Sequence, residues 1–161
     1  MICRKHMLLF FTMGTIFMMA LCTIVHAADM LPNHALTPGA TNPAVTQANI
    51  KKTICVSGYT KTIRPPVSYT NALKKKQIAQ YKYTDRVLSH YEEDHLIPLA
   101  VGGNPRDPSN LWPEPLASAK KKDKLEKRAQ TLVCAGKVPL KNMQREIAKD
   151  WIAAYNKYVL N

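Results

Sequence analysis

The chain has 161 residues, of which 46% are hydrophobic, and its 23 Lys and Arg residues against 11 Asp and Glu residues give a formal net charge of +12. This length allows one domain with one modest core and leaves little room for a separate module that reads nucleic-acid sequence. The basic excess favours a polyanionic partner, which is a nucleic acid, an anionic lipid surface or an acidic glycan, and charge alone does not choose among them.

Residues 1–27 have the pattern of an export signal. A basic start at Arg4 and Lys5 is followed by an almost wholly apolar run, Met7–Val25, and by small residues that predict cleavage after Ala27. The apolar run is close to the length of a membrane span, so an uncleaved anchor is the alternative. Cleavage removes two basic residues and no acidic one, which leaves 134 residues with a formal charge of +10. We therefore expect a periplasmic or secreted protein without stable membrane association.

Residues 28–50 mix Pro, Ala, Thr and Asn without a helical or an alternating apolar pattern. The segment has few of the large apolar groups that could offset the entropy of ordering it. This composition predicts a flexible N-terminal arm, followed by one folded domain at residues 51–161.

Two of the four cysteines lie in the export signal, and the remaining pair is Cys55 and Cys134. In an oxidising compartment an even pair far apart in sequence predicts a disulfide, and two buried free thiols are the alternative. A bridge closing a loop of about 80 residues would stabilise the fold by up to about 4.5 kcal/mol in the chain-entropy model. A zinc site is not expected, because no CxxC pair is present to anchor one.

Two elements are predicted before the middle of the chain. The run from Thr53 to Pro66 alternates β-branched and polar residues, which favours a short extended segment that ends at two prolines. A helix capped by Ser68 or Thr70 should follow and reach about Tyr81. Its lysines at 74–76 are consecutive and so spread around the helix, either as a solvated cluster or as phosphate contacts.

The middle of the chain, residues 90–115, carries the densest pattern of chemically active side chains. A strand is predicted at Tyr91–Ile97, although three adjacent carboxylates lie at its centre and repel one another. A bound cation or nearby Lys and Arg side chains would relieve this repulsion. A loop rich in Gly and Pro follows, and a second short run at Asn110–Trp112 should be ended by Pro113 and Pro115.

Two helices are predicted after this segment. The first runs from about Ala117 to Ala135, where apolar residues recur at helical spacing and Gly136 is a natural stop. The second begins after Pro139 and reaches about Val159, with one apolar stripe that indicates core packing. The resulting fold class is α+β, and mainly α.

Residues 90–126 resemble the HNH endonucleases, with DHLIPLAVGG and NLWPEP standing for the first two motif blocks. The flanking runs YTKTIRPP, KDKLE, VCAG and DWIAAY are similar to those of a bacterial exported group of HNH-like proteins. The resemblance implies a ββα-metal finger with its core at about 90–126, packed against two C-terminal helices.

The resemblance also implies roles for three residues. His95 would be the general base that deprotonates a water for attack on phosphorus, and Asp94 would bind a divalent metal that stabilises the transition state. Asn110 would pin the loop so that the ring of His95 faces the water. An ordinary turn asparagine is the alternative for Asn110.

The chain departs from the HNH pattern in the helix that should complete the metal site. Counting nine residues from Asn110 reaches Ala119, which cannot bind a metal, whereas a position one turn later falls on Asp123. A carboxylate there would favour Mg²⁺ or Mn²⁺ over Zn²⁺. Glu126, on the same helix face, and Glu92, two residues before Asp94, are reserve ligands. Salt bridges on a solvated helix are the alternative for Asp123 and Glu126.

Other side chains are weaker candidates. Arg64, Arg86 and Arg106 are candidate phosphate clamps, although arginine is common on protein surfaces. His90 is a second candidate base, but no residue beside it in the sequence could orient its ring.

The leading hypothesis is a secreted or periplasmic metal-dependent endonuclease that cuts DNA, with RNA as a second substrate, at low sequence specificity. A second hypothesis is a catalytically inactive HNH-like scaffold that binds DNA or another polyanion, because the helix histidine is replaced by Ala119. A toxin-like nuclease, which would require an immunity protein as its partner, is a third interpretation.

Overall fold

The computed structural model describes residues 30–161, so the predicted export signal at 1–27 lies outside the described residues. Five α-helices and two β-strands are present in this range. The helices are α1 at Tyr59–Ile63, α2 at Val67–Gln80, α3 at Leu116–Cys134, α4 at Leu140–Lys149 and α5 at Trp151–Tyr155, and the strands are β1 at Tyr91–His95 and β2 at Leu111–Pro115. Within residues 30–161 no helix is long and apolar enough to cross a membrane.

The two strands form a small antiparallel sheet in which Asp94 lies opposite Trp112 and His95 lies opposite Leu111. β2 continues through Pro113 and Pro115, so the prediction that these prolines end the strand is wrong. Proline is tolerated because both strands of a two-stranded sheet are edge strands. A proline there can sit where its missing N–H would point away from the partner strand, so no hydrogen bond of the sheet is lost. The chain then enters α3 directly, which gives the order β1, loop, β2, α3.

Helix α3 is the main support of the sheet. Its buried residues include Leu125, Ala129, Leu132 and Val133, as the sequence spacing predicts, and it ends before Gly136, whose φ is +71°. The core also takes up both tryptophans, Trp112 and Trp151, which are fully buried. The mainly α, α+β fold class is therefore confirmed.

The disulfide between Cys55 and Cys134 is present, with a Cα–Cα distance of 5.6 Å. It ties the end of α3 to the segment before α1, where the sequence predicted an extended run. That run contains α1 instead: Gly58 precedes it with a φ of +83°, and Arg64 ends it in an extended conformation before Pro65.

The predicted final helix is interrupted. α4 ends at Lys149, and Asp150 adopts an extended conformation with a φ of −165°. Its side chain accepts a hydrogen bond from the N–H of Ala153 at 2.9 Å, so Asp150 caps a new helix, α5. A π-helical turn, Asn156–Leu160, continues from α5.

Residues 30–50 differ from the predicted flexible arm, because they are packed on the domain. Val45 and Ile50 belong to the core, and the buried hydroxyl of Thr37 donates to the carbonyl of Leu111 at 3.1 Å. Thr41 forms an isolated antiparallel bridge with Gly103 in the loop between the strands. The folded unit therefore begins before residue 51, because a few apolar side chains and one hydroxyl fix residues 30–50 against the rest of the domain.

Candidate functional site

β1 separates the candidate residues onto two faces of the sheet. Side chains two residues apart on a strand point the same way, so Glu93 and His95 share one face and Asp94 lies on the other. Glu93 and His95 line an open cavity of about 320 Å³ between the sheet and α2. Asp94 instead faces α3, where it contacts Lys122.

The cavity beside β1 is bordered by basic and polar side chains from the start of α2 and the turn before it. Arg64 lies at its edge, and Lys74 lies beside the strand, where its ammonium donates to the carbonyl of Tyr91 at 2.9 Å. The remaining lining residues are Pro65, Val67, Thr70, Asn71, Tyr91, Glu92 and Leu116. An anion of the size of a phosphate can therefore meet two cations in this cavity.

His95 is held in one tautomer. Its side chain is only 4% exposed, and its Nε2 lies 3.1 Å from the carbonyl oxygen of Pro105. Because that carbonyl can only accept, Nε2 carries the hydrogen and Nδ1 keeps the lone pair. Burial lowers the pKa of His95, and the neighbouring Asp94 carboxylate opposes this only in part. His95 is therefore a neutral imidazole at pH 7, as a general base must be.

Asn110 pins the loop between the two strands. Its amide donates to the carbonyls of Ile97 and Asn104, at 3.0 Å each, and its oxygen accepts from the N–H of Ile97 at 3.0 Å. Gly103 completes this packing, because a Cβ there would lie 1.7 Å from the carbonyl oxygen of Ile97. The predicted loop-pinning contacts are thus present, and they fix the segment that presents the Pro105 carbonyl to His95.

Glu93 is a buried acid in the same cavity. It is 9% exposed, and neither of its carboxyl oxygens has a hydrogen-bond partner among the described residues. Burial raises the pKa of Glu93 to about 8, although the nearby Lys74 acts in the opposite direction. Glu93 is therefore mostly protonated at pH 7, with both carboxyl oxygens inaccessible to solvent.

Behind the strand, Lys122 is surrounded by oxygen atoms. Its ammonium lies 2.5 Å from Oδ2 of Asp94 and 3.0 Å from Oε1 of Glu126, and it donates to the carbonyl of His95 at 2.7 Å. The Lys122 side chain is only 1% exposed. Burial alone would lower its pKa, but the carboxylates of Asp94 and Glu126 outweigh burial and raise it, so the ammonium is retained.

Glu114, beside Asp94 on β2, completes this buried cluster. Burial and the charge of Asp94 raise the pKa of Glu114 to about 9, and the hydroxyl of Ser118 donates to Glu114 Oε1 at 2.7 Å. The protonated Glu114 can therefore donate to the carboxylate of Asp94. Burial would raise the pKa of Asp94, but the charge of Lys122 outweighs it and lowers that pKa.

The predicted metal ligands surround an ammonium instead of an open metal position. Asp94 and Glu126 both contact Lys122, whereas Asp123 on α3 and Glu92, on the same face of β1 as Asp94, are exposed. Within residues 30–161, no group of three or more His, Cys, Asp or Glu is placed to hold a metal ion. As they stand, these side chains do not fit a divalent cation, because an ammonium takes the place beside Asp94.

The candidate phosphate clamps are dispersed. Arg64 lines the cavity with His95, whereas Arg86 lines a separate one with Lys75 and Leu88. Arg106 stacks on the ring of Tyr69, with its guanidinium carbon 5.5 Å from the ring centroid.

His90 is also outside the cavity with His95. Its ring nitrogen lies 2.6 Å from the carboxylate of Asp85, and both side chains are well exposed. This contact gives the ring a fixed orientation that its immediate sequence neighbours did not indicate.

Comparison of the chain with protein-family models, curated proteins and solved structures gives no match. The site is therefore interpreted from its own geometry. Sequence reasoning missed three residues of this arrangement, the acids Glu93 and Glu114 and the buried cation Lys122. The position of Glu93 two residues before His95 on a predicted strand was a usable signal, whereas the depth of Lys122 required the packing of α3.

Proposed function

We propose that this protein is a nuclease that cleaves phosphodiester bonds outside the cytoplasm. The observation that carries the proposal is a neutral His95, fixed in one tautomer by Pro105, in a cavity bordered by the cations Arg64 and Lys74. A general base beside bound phosphate is what activation of a hydroxyl nucleophile requires. The order β1, loop, β2, α3 and the loop-pinning Asn110 support the resemblance to the HNH endonucleases.

The charge of the molecule supports a nucleic acid as the substrate. A formal charge of +10 after signal cleavage concentrates polyanions near the surface, and contacts to phosphates need no particular sequence. Binding and cleavage should therefore weaken as salt rises. The disulfide supports the extracytoplasmic location, because such bridges persist in oxidising compartments.

A divalent metal, Mg²⁺ or Mn²⁺, is expected from the family resemblance but not from the positions of the side chains. A metal ion would supply a hydroxide nucleophile or stabilise the charge of the transition state. Because Asp94 is paired with Lys122, we assign no step to such an ion. A metal requirement stays a prediction that the cleavage assay tests.

The test uses purified protein of residues 28–161 with plasmid DNA and with a long RNA, each in Mg²⁺, Mn²⁺ or EDTA. Cleavage in at least one condition, lost in His95→Ala, is the expected result. His90→Ala is the matched control, because that exposed histidine lies outside the cavity and should leave activity unchanged. Activity that persists in His95→Ala would remove this residue as the base.

A scaffold that binds nucleic acid without cleaving it is the second candidate, and the ion pair of Lys122 with Asp94 favours it. An ammonium fixed between β1 and α3 can hold the finger together without any catalytic metal. Binding of labelled DNA or RNA at low salt, with no cleavage in any of the three conditions, would establish this function instead.

A further inference from the structure

Two exposed aliphatic side chains border the cavity that contains His95. Val67, at 71%, is the most exposed large apolar side chain within residues 30–161, and Leu116 is 49% exposed. Both line the cavity of about 320 Å³ between the sheet and α2. A single exposed apolar residue needs no explanation, but two at the border of one cavity, beside a candidate base, indicate a surface that a ligand covers.

The backbone holds both aliphatic side chains in fixed positions. Val67 is the first residue of α2 and follows Pro65 and Pro66, and Leu116 is the first residue of α3 and follows Pro115. Proline has a fixed φ and restricts the residue before it, which stiffens the chain at both helix starts. The two exposed groups are thus pre-organised, and this lowers the entropy that is lost when a ligand covers them.

Two cations lie beside these aliphatic groups in the same cavity. Arg64 is exposed at its edge, and Lys74 uses one ammonium hydrogen for the carbonyl of Tyr91, at 2.9 Å, and keeps two for other acceptors. Among the described residues that line the cavity, Glu92 is the one exposed acid, so the cations outnumber it. An occupant of this cavity therefore has to offer both anionic and apolar groups.

Nucleic acids combine these two kinds of group, but a duplex and a single strand present them differently. In a duplex the bases are paired and stacked on one another, so a protein surface meets mainly phosphates, sugars and the edges of bases in the grooves. In a single strand a base can turn away from its neighbours and lie against apolar or aromatic side chains while its phosphate meets a cation. Tyr91, whose ring stacks on that of Tyr83 with centroids 5.2 Å apart, adds an aromatic group to the same lining.

We propose that Val67 and Leu116 form a nucleobase subsite beside His95, so that the protein binds single-stranded nucleic acid in preference to a duplex. This preference rests on the proposed nuclease function and names the class of its substrate. Arg64 and Lys74 bind the phosphate of the nucleotide whose base the aliphatic groups cover. The charge of the whole molecule, +10 after signal cleavage, attracts any polyanion, whereas the subsite distinguishes one polyanion from another.

The main experiment measures the affinity of residues 28–161 for four labelled ligands of equal length in EDTA: single-stranded DNA, single-stranded RNA, duplex DNA, and a DNA backbone without bases. A gel confirms that each ligand stays intact. Charge alone would favour the duplex, because its charge density is the highest of the four. At about 150 mM salt, where long-range charge effects are screened, we expect both single strands to bind about tenfold more tightly than the duplex and the base-free backbone.

Substitutions separate the contacts to the base from the contacts to the phosphate. Val67→Thr together with Leu116→Asn keeps the shapes of both side chains, and it should weaken single-strand binding about tenfold while duplex binding stays within about twofold. Leu160→Asn, at an exposed leucine outside the cavity, is the control. Arg64→Gln and Lys74→Gln should each lower the slope of log affinity against log salt by about 0.7, because each removes one contact to a phosphate of a single strand.

An added tryptophan tests whether a base lies against position 116. The two natural tryptophans, Trp112 and Trp151, are fully buried, so the new indole in Leu116→Trp is the exposed reporter. A base that stacks on this indole should quench its fluorescence, whereas the base-free backbone should not. Leu160→Trp, with its indole outside the cavity, should respond to neither ligand.

Binding of the duplex or of the base-free backbone as tightly as the single strands overturns the preference, and cleavage that is lost in His95→Ala still keeps the proposed nuclease function. An unchanged single-strand affinity in the double variant of Val67 and Leu116 overturns the nucleobase subsite. Quenching of Leu116→Trp by phosphatidylglycerol vesicles, and not by single-stranded DNA, assigns the cavity to a lipid surface instead. Binding to none of the four ligands, together with no cleavage in any condition, overturns both the preference and the proposed function.

Discussion

Replacement of Lys122 by Met tests whether the buried ammonium holds β1 against α3. The substitution removes the partner of Asp94, which lies 2.5 Å away, and the donor to the His95 carbonyl, which lies 2.7 Å away. Breaking a buried ion pair by removing one partner costs about 3–5 kcal/mol, and Glu126, whose side chain is a quarter exposed, can turn to water. We therefore expect a loss of about 4 kcal/mol in the free energy of unfolding.

A loss of this size is a large fraction of the stability of a single domain, which is about 5–15 kcal/mol. It corresponds to a decrease of about 15 °C in the melting temperature of a chain of this length. Urea unfolding, followed through the fluorescence of the buried Trp112 and Trp151, measures the effect with the disulfide intact. Lys124→Met, on an exposed position of the same helix, should change stability by less than about 0.5 kcal/mol.

The pH dependence of the Lys122→Met difference provides a second criterion. In the wild type the lowered pKa of Asp94 contributes stability that is lost as pH falls through that pKa. In the variant an unpaired Asp94 can escape the cost of burial by taking a proton. The difference between the two proteins should therefore be smaller at pH 4 than at pH 7. A difference below about 1 kcal/mol at pH 7, or one that is equal at both pH values, would refute this explanation.

Three further predictions concern the loop, the buried acids and the pH profile. Asn110→Ala removes the partner of both backbone groups of the buried Ile97 and of two partly buried groups, the carbonyl of Asn104 and the N–H of Ala40. It should lower the free energy of unfolding by about 3 kcal/mol or more, measured in urea, and a loss below about 1 kcal/mol would contradict the pinning role. Glu114 has a pKa of about 9 in the folded state, so between pH 4.5 and 9 the folded state binds more protons than the unfolded state. Ionisation of this acid therefore lowers the free energy of unfolding as pH rises, by up to about 1.4 kcal/mol per pH unit. Glu114→Gln should therefore flatten stability against pH in that window, and an unchanged slope would argue against a protonated Glu114. If His95 is the general base, the rate of nucleic-acid cleavage should rise with pH through a pKa that burial holds below the usual 6.5, although the neighbouring Asp94 opposes this shift. A rate that begins to rise only above pH 7 would argue against His95 as the base.

The helices and strands follow from local sequence patterns where those patterns extend over several turns or residues. The apolar spacing of α3 and the cysteine pair at 55 and 134 were sufficient to predict a long helix and its disulfide. The packing of residues 30–50 was not predictable in this way. It depends on single contacts between residues far apart in sequence, such as the hydrogen bond from Thr37 to Leu111, and a local hydrophobic pattern gives no indication of such contacts.

The sequence indicated candidate site residues but not the partners that surround them. The sequence places Asp94 and His95 side by side, and strand geometry alone puts them on opposite faces of the sheet. What Asp94 faces depends on the rotation of α3, which brings Lys122 rather than Asp123 to the strand. A difference of one residue on a helix turns a side chain by about 100°, so an expected ligand became exposed and a lysine became buried.

The contacts of the N-terminal segment determine how far the chain can be shortened without disturbing the candidate site. Ala40 donates to Asn110 at 3.3 Å, Thr41 pairs with Gly103, and Met30 accepts a hydrogen bond from the indole of Trp151 at 2.9 Å. These contacts join the N-terminal segment to the loop that orients the His95 imidazole and to α5 in the C-terminal half of the chain. Truncation to residue 51 would therefore remove contacts that support the candidate site, so a fragment that keeps all of them has to start no later than Met30.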